Sequence, residues 1–272
     1  MENDFQLHES VRTEIPMRKT MTKVVVGAAF WVVVSHTVSG QWVQTGECGD
    51  GYINAIAVAG QTIFAAAELS VYRSTNNGET WGAVNNGLPG NYDEISSLAF
   101  NDDKIFAGTL GPTSATWGAG VFISTNNGDS WTAVDSGGLE NSEILTLVAS
   151  GGKIFAGTSR YQCGTFNMYT CGGGVFISSN NGTNWTTSTN PWSATINSLA
   201  ISGDNIFAGP NGSGVFLSIN SGASWAAVNN GLPANSTVHS FAIRGDTIFA
   251  GSYIVRMRIG ANVYERSMMV SR

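Results

Sequence analysis

The chain has 272 residues, of which 12% are charged and 34 are glycine, and its formal net charge is −6. Charge at about half the ~25% of ordinary globular proteins leaves a surface built mostly of Ser, Thr, Asn and Gly, which suits a turn-rich all-β protein. Residues 41–272 hold nine Lys/Arg against fifteen Asp/Glu, and four of the nine lie in the last 17 residues, so the acidic body lacks the basic stripe that nucleic acid requires.

The first 40 residues differ from the rest. Met1–Pro16 is polar, and Met17 and Met21 are alternative starts. Arg18, Lys19 and Lys23 then precede the apolar run Val24–Val34, and the small residues Ser39 and Gly40 stand before Gln41. Basic, apolar, small is the order of a secretory signal. It predicts a disordered start plus signal over 1–40 and one mature domain over 41–272. The run of 11 residues is short against the roughly 20 of a membrane span. A chain outside the cytoplasm (secreted, periplasmic or at the cell surface), with no stable membrane insertion, is expected.

An octet then recurs. Ser74–Trp81 reads STNNGETW, Ser124–Trp131 STNNGDSW, Ser178–Trp185 SSNNGTNW and Ser218–Trp225 SINSGASW. The Asn-Asn-Gly or Asn-Ser-Gly centre adopts φ > 0 at low cost, as a tight hairpin turn demands. The Ser and Asn side chains can bond local amides and lock the turn. The Trp supplies an apolar anchor. A second phrase, Ile-Phe-Ala, begins at Ile63, Ile105, Ile154, Ile206 and Ile248, at spacings of 42, 49, 52 and 42 residues. Strand-like repeats of about 40–50 residues are the signature of propeller blades, one four-stranded sheet per repeat.

One blade can be written out as strand A over 196–201, strand B over 205–209, strand C over 214–217, the octet turn, and strand D over 225–228. The other A strands fall at 53–58, 95–100, 144–148 and 238–243. Ala65, Ala107 and Gly108 in the B strands let neighbouring blades approach, and the Phe and Trp residues are core. There are five A–B pairs and four octets. Gln41–Thr45 reads as a D strand and Asn262–Ser267 as a C strand with one extra residue, so five blades are expected, closed where the two segments pair. A fragment of a larger ring is the alternative.

The octet resembles the Asp-box, or BNR repeat, S-x-D-x-G-x-x-W, over Trp42 to Ile254, with Asn76, Asn126, Asn180 and Asn220 standing where that family has Asp. The family spans sialidases, some glycoside hydrolases, sortilin-type receptors and photosystem assembly factors. The resemblance implies a β-propeller whose boxes lie on the outer blade edge, away from any active site.

Function is therefore expected on the opposite face, where the B–C and D–A connections lie. The B–C loop 109–120 carries Trp117, and the loop 158–174 carries Tyr161, Phe166 and Tyr169; Tyr92 and Trp192 are in D–A loops. Variable loops on a rigid scaffold carry function, and aromatics there can stack on sugars or anchor a protein. The resemblance to sialidases implies three converging arginines, but Arg73, Arg160 and Arg244 fall in a C strand, a B–C loop and an A–B turn, and the family's Arg-Ile-Pro phrase is absent. A xyloglucanase-like hydrolase needs two carboxylates across a cleft. Asp93, Glu94, Glu140 and Glu143 are the candidates, and their spacing selects no pair. The assembly factors' arginine-rich patch has no counterpart. Cys163 and Cys171 can close a loop disulfide in an oxidising compartment, whereas Cys48 is left over and His8, His36 and His239 offer no paired metal ligands. The expectation is a monomeric, non-catalytic propeller that binds a protein or carbohydrate ligand, without cofactor, metal or nucleic acid. A sialidase-like or xyloglucanase-like glycoside hydrolase is the alternative.

Overall fold

Short β-forming runs separated by left-handed turns fold back on themselves, and the chain is a series of such meanders. The computed structural model describes residues 31–34, 41–46, 52–90, 94–111, 120–134, 138–139, 143–163, 169–189, 194–245, 247–251, 257–259 and 262–264. A hairpin, β1 (Trp31–Val34) and β2 (Gln41–Gln44), comes first. Blade 1 follows as β3 (Ile53–Ala59), β4 (Thr62–Ala67), β5 (Ser70–Ser74) and β6 (Gly82–Ala83). Blade 2 is β7 (Glu94–Asn101), β8 (Lys104–Leu110), β9 (Val121–Ser124) and β10 (Thr132–Ala133). Blade 3 is β11 (Ile144–Ser150), β12 (Lys153–Cys163), β13 (Tyr169–Ser178) and β14 (Thr186–Thr187). Blade 4 is β15 (Ile196–Ser202), β16 (Asn205–Pro210), β17 (Phe216–Ser218) and β18 (Ala226–Ala227). A two-stranded sheet, β19 (Ser240–Arg244) and β20 (Thr247–Gly251), stands next, and the hairpin β21 (Met257–Ile259) and β22 (Asn262–Tyr264) ends the described chain.

Each blade is antiparallel with its strands in chain order, the all-β propeller architecture that the repeats predict. The first strands of successive blades lie side by side, β3 with β7, β7 with β11, β11 with β15 and β15 with β19. Between the sheets sit Phe64, Phe106 and Phe155, each at most 2% exposed, with Trp131 and Trp185. Burial of each such side chain contributes about 1.5–3 kcal/mol.

The octets hold the blades together. In all four, the opening serine is buried (Ser74, Ser124, Ser178, Ser218). Its Oγ accepts the amide of the octet glycine at 2.8–2.9 Å and donates to the Asn Oδ1 at 2.9 Å. That Oδ1 also accepts the amide four residues on, at 2.9–3.0 Å. The two central residues are left-handed, for example Asn127 at φ 59° and Gly128 at φ 89°, the sign pattern of a type I′ turn. The locked turns of blades 2 to 4 lean on the preceding blade. Trp131 Nε1 donates to the Val84 carbonyl at 2.8 Å and Trp185 Nε1 to the Val134 carbonyl at 2.9 Å. Arg73 of blade 1 reaches the blade 2 octet, bonding Asp129 Oδ1 and the Asn127 carbonyl at 2.7 Å each.

Gly108, expected to allow close approach, does so, and Gly157 does the same in blade 3. A Cβ on Gly108 would lie 2.6 Å from Ile144 Cγ2, and one on Gly157 2.8 Å from Ile196 Cγ2.

The two chain ends differ from expectation. Gln41–Gln44 pairs with Trp31–Val34, and Asn262–Tyr264 pairs with Met257–Ile259, so the pairing expected between 41–45 and 262–267 is not the one the chain makes. The Val-rich run Trp31–Val34 is a good strand former, and closing a short local loop costs less entropy than joining segments roughly two hundred residues apart. The described sheets thus amount to four complete blades and two strands of a fifth.

Two substitutions test the turn. A Cβ on Gly128 would meet Phe64 Cε1 at 3.0 Å and Val84 Cγ2 at 3.2 Å, at a left-handed position. Gly128→Val should lower the urea-unfolding free energy by more than ~1 kcal/mol, and a change within ~0.5 kcal/mol would show that the turn is of another type. Ser124→Ala leaves the buried Gly128 amide without its acceptor and should cost about 1–3 kcal/mol. Ser130→Ala, at the partly exposed rim of the same turn, should cost under ~0.5 kcal/mol; equal losses for the two would contradict the bonding scheme.

Candidate functional site

The two ends of the sheets are built on different rules. At the octet end, the turns spend their polar groups on themselves. At the other end, where B–C and D–A connections emerge, the inner strand of each blade is irregular. The ladder shifts register between Ile53 and Ala55, Ile95 and Ser97, Ile144 and Thr146, and Ile196 and Ser198. A bulge leaves one residue unpaired and re-aims it; here those residues are Asn54, Ser96, Leu145 and Asn197. His239 holds the matching sequence position ahead of β19 and is exposed.

These bulges tie blades together and leave polar groups at the loop face. Asn54 Nδ2 donates to Glu94 Oε1 at 2.8 Å and to the Ile95 carbonyl at 3.1 Å. Ser96 Oγ, with one hydrogen to donate, lies within hydrogen-bond reach of the Gly108 carbonyl at 3.0 Å and of the Ile144 carbonyl. Ser198 Oγ donates to the Val238 carbonyl at 2.7 Å. Asn197 Nδ2 is shut off from solvent and has no hydrogen-bond partner among the described residues.

The connections themselves vary. The B–C connection of blade 1 is the two-residue turn Glu68-Leu69. That of blade 3, expected as a loop over 158–174, is instead a ribbon. β12 and β13 stay paired through Arg160↔Gly172, Tyr161↔Cys171, Gln162↔Thr170 and Cys163↔Tyr169. The ribbon is anchored at its base. The Ser159 amide donates to the Glu143 carbonyl at 3.0 Å, the Arg160 amide donates to Thr195 Oγ1 at 2.9 Å, and a Cβ on Gly173 would stand 3.0 Å from the Ala194 carbonyl. On blade 4 a shallow cavity of about 250 Å³ opens among Gly212, Asn229, Leu232, Pro233 and Ser236. Asn229 props its floor, accepting the Val215 amide at 2.7 Å and donating to the Ser213 carbonyl at 3.0 Å.

Of the residues singled out from the sequence, Tyr161 and Tyr169 stand in the ribbon ladder, and Tyr92, Trp117, Phe166 and Trp192 lie outside the described residues. The ladder sets Cys163 opposite Tyr169 and Cys171 opposite Tyr161, so the cysteines are diagonal neighbours rather than a directly facing pair. Arg73, Arg160 and Arg244 occupy an outer strand, the ribbon base and the end of β19 at the A–B turn, the scatter that the sequence predicts. No group of three or more His, Cys, Asp or Glu side chains is arranged to hold a metal ion among the described residues, and no helix there is long and apolar enough to cross a membrane. Sequence reasoning missed the bulge residues. The signal was available in the polar residue that follows the lead Ile or Val of four A strands (Asn54, Ser96, Asn197, His239), and the repeated Val-Asn-Asn-Gly-Leu-Pro at 84–89 and 228–233 marked the Asn229 prop.

No curated protein matches the chain. Among solved structures it is similar to an ancestral GH74 enzyme at 24% identity and TM-score 0.55, over 74% of this chain and 27% of that one. It is similar to YCF48 bound to D1 peptide at 12% and 0.54, over 89% and 76%. It is also similar to the extracellular domain of the one component system BT4673 from B. thetaiotaomicron at 15% and 0.59, over 90% and 32%. At these identities the likeness is one of fold, and the chain spans about a quarter of the GH74 enzyme's length. Residues 83–247 match the DUF6242 beta propeller domain, and the chain belongs to that family.

Proposed function

We propose that this propeller works outside the cytoplasm as a non-catalytic binding module and takes a protein or glycan ligand on its B–C/D–A face. The observation that carries the reading is the blade 3 ribbon, a strand pair that runs on from the blade and has Tyr161 and Tyr169 in its ladder. A paired ribbon presents side chains with less ordering cost than a free loop, and tyrosines are favoured anchors for protein and sugar surfaces alike. Among the described residues the octet face has no such ribbon, and the Ser and Asn groups of its turns are engaged within each turn. Peptide binding has a parallel in YCF48, whose structure is solved bound to D1 peptide, and an extracytoplasmic site has one in the BT4673 extracellular domain. The basic-apolar N-terminal segment supports export.

A glycosidase is the second reading, favoured by the GH74 neighbour. It fits the loop face less well. Glu94 is engaged by Asn54, and the three arginines stand at separate places on the blades.

Glycan-array and peptide-array binding of the purified chain should yield a ligand whose affinity falls about tenfold or more in the Tyr161→Ala, Tyr169→Ala double variant, with the melting temperature unmoved. Undiminished binding by that variant would remove the ribbon from the site. The wild-type chain should release no sugar from sialyl or β-glucan substrates, and turnover of either would replace the binding reading with the hydrolase one.

A further inference from the structure

The loop face holds charge and apolar surface apart from the ribbon. The inner strands β3, β7, β11 and β15 lie side by side, and each has an isoleucine just ahead of its bulge, at 53, 95, 144 and 196. The residue before that isoleucine therefore holds one equivalent position on four neighbouring blades, and it is Tyr52, Glu94, Glu143 and Thr195 in turn. An aromatic ring and two carboxylates thus follow one another along the rim, from blade 1 toward the ribbon base on blade 3.

At blade 1 this row meets the B–C turn. The Glu68 amide donates to the Tyr52 carbonyl at 3.3 Å, the Glu68 carbonyl accepts the Ile95 amide at 2.6 Å, and Asn54 Nδ2 donates to Glu94 Oε1 at 2.8 Å. These bonds bring Tyr52, Glu68, Leu69 and Glu94 to one corner. Tyr52 is 74% exposed and Leu69 41%. An exposed aromatic beside an exposed aliphatic side chain, rimmed by charge, has the composition of an interface anchor. Glu68 itself is left-handed at φ 46°, whereas the other non-glycine residues described with positive φ are all Asn, Asp or Ser. A long side chain costs more there than Asn or Gly, so the turn alone does not account for a carboxylate at its tip.

Charge selects the occupant. Among the described residues of blades 1 to 4, this end of the sheets carries the carboxylates of Glu68, Glu94 and Glu143 and one cation, Arg160 at the ribbon base. None of the three carboxylates is in an ion pair with a described residue. A second copy would bring the same carboxylates and the same formal charge of −6, which opposes pairing. A neutral glycan would desolvate the carboxylates and offer no counter-charge. A peptide that carries Lys or Arg supplies that charge, and its cation can also lie over the face of the Tyr52 ring. We infer that Tyr52, Leu69, Glu68 and Glu94 form an anchor site for a basic, partly apolar segment of a protein partner, with Glu143 continuing the track toward the ribbon. This rests on the binding reading above and narrows its ligand from protein or glycan to a basic protein segment.

The test exposes the full 272-residue chain to a synthetic peptide array in which every sequence occurs with Lys, Arg, Gln or Glu at its centre, and then titrates the retained peptides by fluorescence anisotropy. Retained sequences should carry Lys or Arg and lose about tenfold or more in affinity on exchange to Glu. Their affinity should fall as salt rises from about 0.05 to 0.5 M. Tyr52→Ala and the Glu68→Gln, Glu94→Gln double variant should each weaken binding about fivefold or more, with the melting temperature unmoved, while Tyr52→Phe, which keeps the ring, should bind like the wild type. Undiminished binding by Tyr52→Ala or by the double variant, or affinity indifferent to salt, would overturn the inference; loss of affinity in the Tyr161→Ala, Tyr169→Ala variant alone would still leave the binding reading standing. Retention of neutral or acidic peptides, or of glycans only, would overturn it with the same consequence. Peptide binding that appears only when residues 256–272, with their four Arg, are removed would make the chain's own end the occupant and overturn the partner. A chain that retains neither peptide nor glycan would remove both readings.

Discussion

A buried serine hydroxyl at the start of each octet is the contact on which the rest of the structure depends. Ser74, Ser124, Ser178 and Ser218 each accept a glycine amide from inside the turn and donate to the Asn that closes it. A buried amide that loses its partner costs far more than an exposed one, so the turn has one conformation. A turn with one conformation fixes the register of its hairpin, and register decides which residues face the neighbouring sheet. In blades 2 and 3 the Trp that ends the octet bonds a carbonyl of the preceding blade, and in blade 4 it bonds Ser188 Oγ there. The octets of blades 2 to 4 thus each serve one blade as a turn and join it to the blade before.

Much of this is legible in the residues. The Asn-Asn-Gly centres announce left-handed backbone, and it is found at Asn77, Asn127, Asn181 and Ser221 with the glycines that follow. The Ile-Phe-Ala phrases mark the B strands, and Gly108 and Gly157 admit the next blade's Ile144 and Ile196. What was not legible depends on distance along the chain or on local context. The ribbon of 158–163 with 169–174 hides behind Gly172-Gly173-Gly174, which reads as a loop, although the neighbouring Tyr, Thr and Cys residues are sound strand formers. The chain-end pairing is not legible from Gln41–Thr45 alone, because a D-strand pattern does not say which strand it pairs with. The apolar run beside it reads as a signal, yet Trp31–Val34 is the strand it pairs with. The loop-face aromatics Tyr92, Trp117, Phe166 and Trp192 are marked by residue type and loop position, whereas the bulged positions Asn54, Ser96 and Asn197 show in the sequence only as a polar residue after the lead Ile and take their meaning from the strand ladders.

The division between the two ends of the sheets follows from the same constraint. An end whose polar groups are engaged internally is uniform, and substitutions there act on stability. The other end is released from that duty, so its connections range from a two-residue turn at Glu68-Leu69 to a ribbon anchored by Ser159 and Arg160. The inner bulges link the blades there, as Asn54 does to Ile95 and Ser96 to Ile144, and so give the variable connections a fixed base.

The most direct measurement of the octet's role is native-state hydrogen exchange at the amides of Gly78, Gly128, Gly182 and Gly222. These lie in surface turns, where exchange is ordinarily fast. If the buried serines hold the blades as described, all four exchange as slowly as the B-strand amides and respond to denaturant with the slope of global unfolding. Exchange at the rate of ordinary exposed turns, independent of denaturant, would show that the octets are held by the sheets rather than the sheets by the octets.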